Sequence, residues 1–200
     1  VQHLHLSPCL YNETNKNLRL FTTHDETSKL VEQCRKGSSQ AQYQLYKLYS
    51  KAMYNTSLRI VGSREEAEDV TQEAFLDGFM KIDMFRGDST FGAWLKSIVV
   101  NKSIAKLRRN RVEFDEFNPD KQDFEEEEED DFETNEHTIQ VIKRLMEDLS
   151  SGYRLVLSLY LFEGYDHKEI GEILGVTEVT SRTQYIRAKQ RLLELYKARR

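Results

Sequence analysis

One acidic stretch limits what this chain can fold into. Residues 113–136, EFDEFNPDKQDFEEEEEDDFETNE, hold 14 acidic groups against one basic group and include Pro119. No apolar period is sustained there, and adjacent carboxylates repel, so an extended, mobile tether is expected. A structureless run of that length inside one compact domain would be unusual, so it marks a boundary. The 200-residue chain is thereby cut into an arm (1–24), a first segment (25–112), the tether (113–136) and a last segment (137–200). The first and last segments are each long enough for one small core.

Composition narrows the fold class. Hydrophobic residues make up 38% and charged residues 32%, a mixture suited to helical domains with thin cores rather than a thick α/β sandwich. Only 9 Gly and 2 Pro leave few tight turns, which argues against an all-β chain. The expectation is all-α: two small helical domains joined by a flexible acidic linker.

The arm lacks the charged–apolar–small order of a secretory signal. No apolar run approaches the roughly 18 residues of a membrane span. Cys9 and Cys34 form neither a metal-type pair nor a disulfide framework. His3 and His5 alone make a poor metal site, and the tether lacks the spaced ligands and central Gly of a calcium loop. A cytoplasmic chain with no cofactor, no bound metal and no membrane insertion is expected.

The net charge of −5 hides a division. Basic residues outnumber acidic ones seven to one over 86–112 and seven to two over 178–200. Two separated basic patches suggest two contacts with one polyanion. The tether between them reads either as a solvated linker or as a mimic of nucleic-acid charge that covers a basic face.

The first segment reads as helices. A short helix over 29–36 ends at Gly37, and a longer one over 39–61 ends at Gly62. Ser63-Arg-Glu-Glu66 fits a capping box, so a third helix starts at once. Its buried stripe is Ala67, Val70, Ala74 and Gly78. Asp69, Gln72, Glu73 and Leu76 fall at i, i+3, i+4 and i+7 on the opposite side. A solvated polar face is one reading; a Leu within it points to the other, a partner surface.

The loop Phe85-Arg-Gly-Asp-Ser-Thr90 delivers a cap for a helix over about 90–110. That helix carries Trp94 and Asn101 among Lys96, Lys102, Lys106, Arg108 and Arg109. Trp94 reads as core, with the basic groups solvating a helix end. On the other reading the basic groups track phosphates while aromatic and amide groups meet unstacked bases.

In the last segment, Asp166-His-Lys-Glu169 opens a short helix, Gly175-Val-Thr177 makes a turn, and a basic helix runs from about 178 to 197. Short helix, Gly turn and longer basic helix form the helix-turn-helix pattern, whose second helix enters the major groove. Tyr185, Ala188, Leu192 and Leu195 are expected as its buried stripe. Thr180, Arg182, Gln184 and Arg187 fall away from it. Arg suits guanine and Gln suits adenine, so these residue types fit base reading. A generic amphipathic bundle helix is the plainer reading.

Three stretches together resemble the extracytoplasmic-function sigma factors, the minimal two-domain branch of the bacterial sigma-70 family. They are AEDVTQEAFL (67–76), FRGDSTFGAWLKSIVVNKSIAKLRR (85–109) and YRLVLSLYLFEGYDHKEIGEILGVTEVTSRTQYIRAKQRL (153–192). They occur in the family's order and spacing. The resemblance implies that Asp69, Gln72, Glu73 and Leu76 dock on the clamp helices of the β′ subunit of core RNA polymerase. It implies that Arg86, Ser89, Trp94, Lys96, Asn101, Lys102, Lys106, Arg108 and Arg109 serve the −10 promoter element. Thr180, Arg182, Gln184, Arg187 and Lys189 would serve the −35 element. It adds the β flap of polymerase, promoter DNA and an anti-sigma factor as partners, and it places the tether toward the RNA exit path. Departures from the family pattern are Gly171 for Ala, Ser181 for Val, Gln184 for Arg, and an apolar Ile186 off the stripe.

Two small basic modules would each bind DNA weakly and gain effective concentration when fixed on polymerase. The tether would weaken DNA binding by the free chain further. Rival readings are a stand-alone helix-turn-helix regulator, bound as a dimer on paired half-sites, and a sigma-like interaction protein that no longer melts DNA. An enzyme is not expected: there is no phosphate-cradling Gly loop, no Cys/His cluster and no nucleophile elbow.

Overall fold

The computed structural model describes residues 24–109 and 136–199, which fall in two compact units. Among the described residues there is no β-strand. The expectations for the arm, for Cys9, His3 and His5, and for the acidic tether lie outside the described residues.

The first unit contains α1 (His24–Arg35), α2 (Ser39–Val61), α3 (Arg64–Met80) and α4 (Phe91–Arg109), with a 3-10 turn at Ile82–Met84. Local chemistry sets these bounds. The Ser38 hydroxyl accepts from the Ala41 N–H at 3.3 Å, and Gly62 ends α2 at φ +79°, a conformation a side chain would oppose. The Ser63 hydroxyl accepts from the Glu66 N–H at 3.4 Å, and Thr90 accepts from Ala93 at 3.2 Å to open α4. Helices α2, α3 and α4 pack on one another, and α1 lies against α2. Leu45, Ala74, Phe75, Phe91, Leu95 and Val99 form the centre of the core. Gly78 lets α4 come close, since a Cβ there would sit 3.1 Å from Leu95 Cδ1. Buried hydroxyls turn back on their own helices: Ser103 donates to the Val99 carbonyl at 2.8 Å, and Thr71 donates to that of Ala67 at 2.6 Å.

The second unit contains α5 (Glu136–Glu147), α6 (Ser151–Leu157), α7 (His167–Leu174) and α8 (Glu178–Ala198). Helix α6 passes into a π-helical segment over Ser158–Glu163, closed by Gly164 at φ +80°. Asp166 and Glu169 form the full reciprocal capping box, both hydrogen bonds at 2.8 Å. Thr177 caps α8 by accepting from the Thr180 N–H at 3.1 Å. Helix α8 is the hub on which α5, α6 and α7 pack. Ile142, Met146, Leu149, Leu157, Phe162 and Ala188 form part of the core.

Candidate partner and nucleic-acid interfaces

Helix α3 presents Asp69, Gln72, Glu73 and Leu76 together on its exposed side. Leu76 keeps 62% of its surface in solvent, so it is not there for the core. Met80, one turn further along the same line, is 74% exposed. The sequence reading missed it, although the i+4 step from Leu76 pointed to it. The face is therefore acidic toward the start of α3 and apolar toward its end.

Helix α4 does not display its candidate residues on one surface. Trp94, Asn101 and Arg108 recur every seven residues and share a line, with Asn101, Arg108 and Arg109 exposed. The Trp94 ring is half-buried and lies 5.4 Å from Phe85 and 5.8 Å from Phe91 between centroids. That packing matches the core reading and leaves only part of the indole for a base. Lys96 sits about 140° around the helix from Asn101, so it does not share that face. Lys102 and Lys106 lie on the edge toward α3 and are already paired. Lys102 Nζ is 3.1 Å from Asp77 and 3.3 Å from Glu73, and Lys106 Nζ is 3.9 Å from Asp69. Lys102 holds the Asp77 carboxyl below the usual carboxylate range.

The loop ahead of α4 exposes Arg86 and Ser89, and Gly87 turns it at φ +83°. Its base is held from elsewhere: the Arg35 guanidinium, at the end of α1, donates to the Phe85 carbonyl. Nothing local in the sequence marks Arg35 for that role, because its partner is fifty residues away.

Helix α8 corrects the sequence reading. Gln184 is 2% exposed and Arg187 is 8% exposed, so neither falls away from the buried stripe. The buried strip is Ser181, Gln184 and Ala188, with Arg187 beside it, while Tyr185, Leu192 and Leu195 are only half-buried. Tyr185, Leu192 and Leu195 still pack against the core beside Ala188, as expected; Gln184 and Arg187 are the exceptions, because a polar strip carries no hydrophobic signal. Ser181 is fully buried because His167, at the start of α7, meets it: Nδ1 lies 3.1 Å from the Ser181 hydroxyl. The imidazole stacks on Tyr160 at 4.6 Å and meets Tyr185 edge-on at 5.4 Å. Burial and the nearby Arg182 charge lower the His167 pKa, and burial pushes Tyr185 up to about 12.

The side of α8 turned to solvent carries Val179, Arg182 and Ile186, with half-buried Thr183 and Lys189 along its edges. Val179 is 72% exposed. Arg182 forms an ion pair with Glu178 at 3.0 Å. Thr180 is half-buried, its hydroxyl 2.8 Å from that of Thr177, so it serves the helix start. Gly171 is explained too: a Cβ there would lie 2.8 Å from the Val176 carbonyl oxygen, where the turn crosses α7.

Among the described residues, no group of His, Cys, Asp and Glu could hold a metal ion, and no helix is long and apolar enough to cross a membrane.

The comparisons with known proteins agree with this layout. Residues 45–113 match Sigma-70 region 2, and residues 139–192 match Sigma-70, region 4. The chain is 31% identical over 184 residues to the RNA polymerase sigma-H factor of Pseudomonas aeruginosa, covering 84% of this chain and 92% of that one. It is 29% identical over 171 residues to the ECF RNA polymerase sigma-E factor of Escherichia coli K12, covering 80% and 89%. In fold it is similar to the sigma factor RpoE of Bartonella quintana, solved with the anti-sigma factor NepR. The TM-score is 0.53 at 24% identity, over 79% of this chain and 98% of that one. With both regions present in order, and a relative matched over nearly its whole length, the chain belongs to the extracytoplasmic-function branch of the sigma-70 family.

Proposed function

We propose that this chain is a dissociable promoter-recognition subunit of bacterial RNA polymerase, with residues 25–112 as sigma domain 2, 137–200 as sigma domain 4 and 113–136 as the connector. It binds core polymerase and directs initiation, without catalysing a step itself, in the cytoplasm where polymerase works. Asp69, Gln72, Glu73 and Leu76, extended by Met80, dock on the clamp helices of the β′ subunit. The carboxylates steer basic groups, and Leu76 with Met80 supplies apolar surface that loses water on contact.

The loop and α4 serve the −10 element. Arg86 and Ser89 sit where an unstacked base would be held, Asn101 faces bases, and Arg108 and Arg109 meet phosphates. The second unit docks near the β flap and serves the −35 element through the solvent side of α8. There Arg182 fits guanine, while Val179, Thr183 and Ile186 offer methyl groups to thymine. Lys189 lies beside the backbone. Family membership also makes an anti-sigma protein the expected regulator.

The exposure of Leu76 beside the acids of α3 carries this reading. A solvated polar face has no use for it, and a docking face does. Equilibrium binding to core polymerase tests it. Asp69→Ala with Gln72→Ala, and Leu76→Ala alone, should each weaken binding by more than about 1 kcal/mol with the circular dichroism spectrum and melting temperature unchanged. Unaltered affinity in both would refute the docking face.

A further inference from the structure

Two surfaces assigned to different partners share one set of charges. On α3 stand Asp69, Glu73 and Asp77; opposite them on α4 stand Lys102 and Lys106, and Lys81 closes the end of α3. Lys102 lies 3.3 Å from Glu73 and 3.1 Å from Asp77, Lys106 lies 3.9 Å from Asp69, and Lys81 lies 3.5 Å from Asp77. Three carboxylates thus balance three ammonium groups.

The members differ in exposure. Side chains of Asp69 and Glu73 keep 60% and 63% of their surface in solvent, whereas Lys102, Lys106 and Asp77 keep 23%, 28% and 27%. The outer pair of acids can therefore be taken by a partner, while the lysines and Asp77 stay seated between the helices.

We propose, resting on the docking role given to α3, that this seam is an ion-pair exchange coupling polymerase docking to nucleic-acid binding: cationic groups of the partner take Asp69 and Glu73, and Lys102 and Lys106 are freed for phosphate. With those two acids engaged elsewhere, Asp77 remains among three ammonium groups, and the edge of α4 changes from neutral to doubly positive. Asp77 is a positioning residue in this arrangement. It keeps Lys102 beside α3 when Glu73 has left, so the lysine stays at the edge of the α4 face rather than swinging into solvent. Free chain then binds nucleic acid poorly through α4, and docked chain binds it well. Linkage makes the effect reciprocal: a nucleic acid on α4 releases Asp69 and Glu73 and strengthens docking by the same factor.

The full free chain and a single-stranded DNA oligonucleotide provide the test, with no polymerase present. Asp69→Asn/Glu73→Gln reproduces the docked charge state. Its affinity should rise several-fold at low salt, and the slope of log affinity against log salt should steepen by about 1.4, at about 0.7 per phosphate contact. Asp77→Asn added to that variant should trim the gain, because Lys102 is then no longer seated at the edge of α4. Glu65→Gln/Glu68→Gln alters the charge of α3 equally but outside the seam and should give much less. Adding Lys102→Ala/Lys106→Ala to the first variant should erase the gain. A gain equal in the outside control, a gain that survives loss of both lysines, or no gain at all overturns the exchange. Wild-type chain that fails to bind core polymerase would refute the docking role, a result distinct from any of these because the oligonucleotide assay does not involve polymerase.

Discussion

Helices α4 and α8 are alike on paper, at 19 and 21 residues, each basic and each the last helix of its described unit. They dispose of their polar groups in opposite ways. In α4 the inward residues are apolar or small, and Lys102 and Lys106 lie at its edge against the acids of α3. In α8 the inward strip is itself polar, with Gln184 and Arg187 inside and Val179 and Ile186 outside. Charge in the first unit is therefore a surface quantity, open to a partner on the reading proposed above. In the second it belongs to the packing, and on the proposed reading the solvent face is left for readout by shape, methyl groups and one arginine.

The largest effect that could break this contrast lies within α8. Arg182→Ala should relax sequence preference at one base pair of the −35 element by about 1–3 kcal/mol and leave the melting temperature unchanged. Gln184→Ala should do the reverse, costing about 1–3 kcal/mol of stability with sequence preference intact in whatever folded protein remains. Calorimetry beside binding to mismatched duplexes separates the two. A Gln184→Ala variant that stays fully stable but loses base discrimination would restore Gln184 to the groove.

A smaller effect concerns pH. The folded second unit favours neutral His167, because burial, with Arg182 nearby, lowers its pKa against the weaker opposing pull of Glu178 and Asp166. The unfolded chain accordingly takes up the proton first as pH falls. The contribution to stability is complete above about pH 6.5 and is lost as pH drops through the lowered folded value. Urea melts of the second unit should show that decline, and His167→Gln should flatten it. An identical pH profile in the variant would mean that other groups set it.

The smallest effect sharpens the map of α4. Arg108→Ala should reduce the salt slope of −10 oligonucleotide binding by about 1, while Lys96→Ala, on the other flank, should leave it unchanged. Equal slopes in the two variants would mean that the nucleic acid wraps the helix rather than tracking one line.

Much of the fold was legible because its boundaries are chemical. Ser63, Thr90, Asp166 and Thr177 cap helices where their spacing predicts, and Gly62, Gly164 and Gly175 end them. The exposed α3 face could be read because its buried side is apolar but for Thr71, whose hydroxyl is spent on its own helix. What stayed illegible has a common cause: contacts between elements, which the periodicity of a single helix does not carry. Ser181 is buried because His167 reaches it, and Gly171 is small because the Val176 carbonyl crosses it. Arg35 matters because Phe85 presents a carbonyl to it, and Lys102 is restrained by acids on another helix. Departures from the family pattern at 171 and 181 thus become packing facts of the helix-turn-helix. Hydrophobic periodicity assigned Gln184 to the wrong side for the same reason, since it cannot see a polar interior.

The measurement that tests the central claim most directly is reconstituted initiation. Core polymerase lacking any sigma factor is mixed with the purified chain and fragmented genomic DNA, and transcript 5′ ends are mapped. The account predicts discrete start sites that share two upstream elements and are absent with either component alone. No stimulation, together with tight duplex binding by the chain by itself, would contradict it and make this protein a stand-alone regulator.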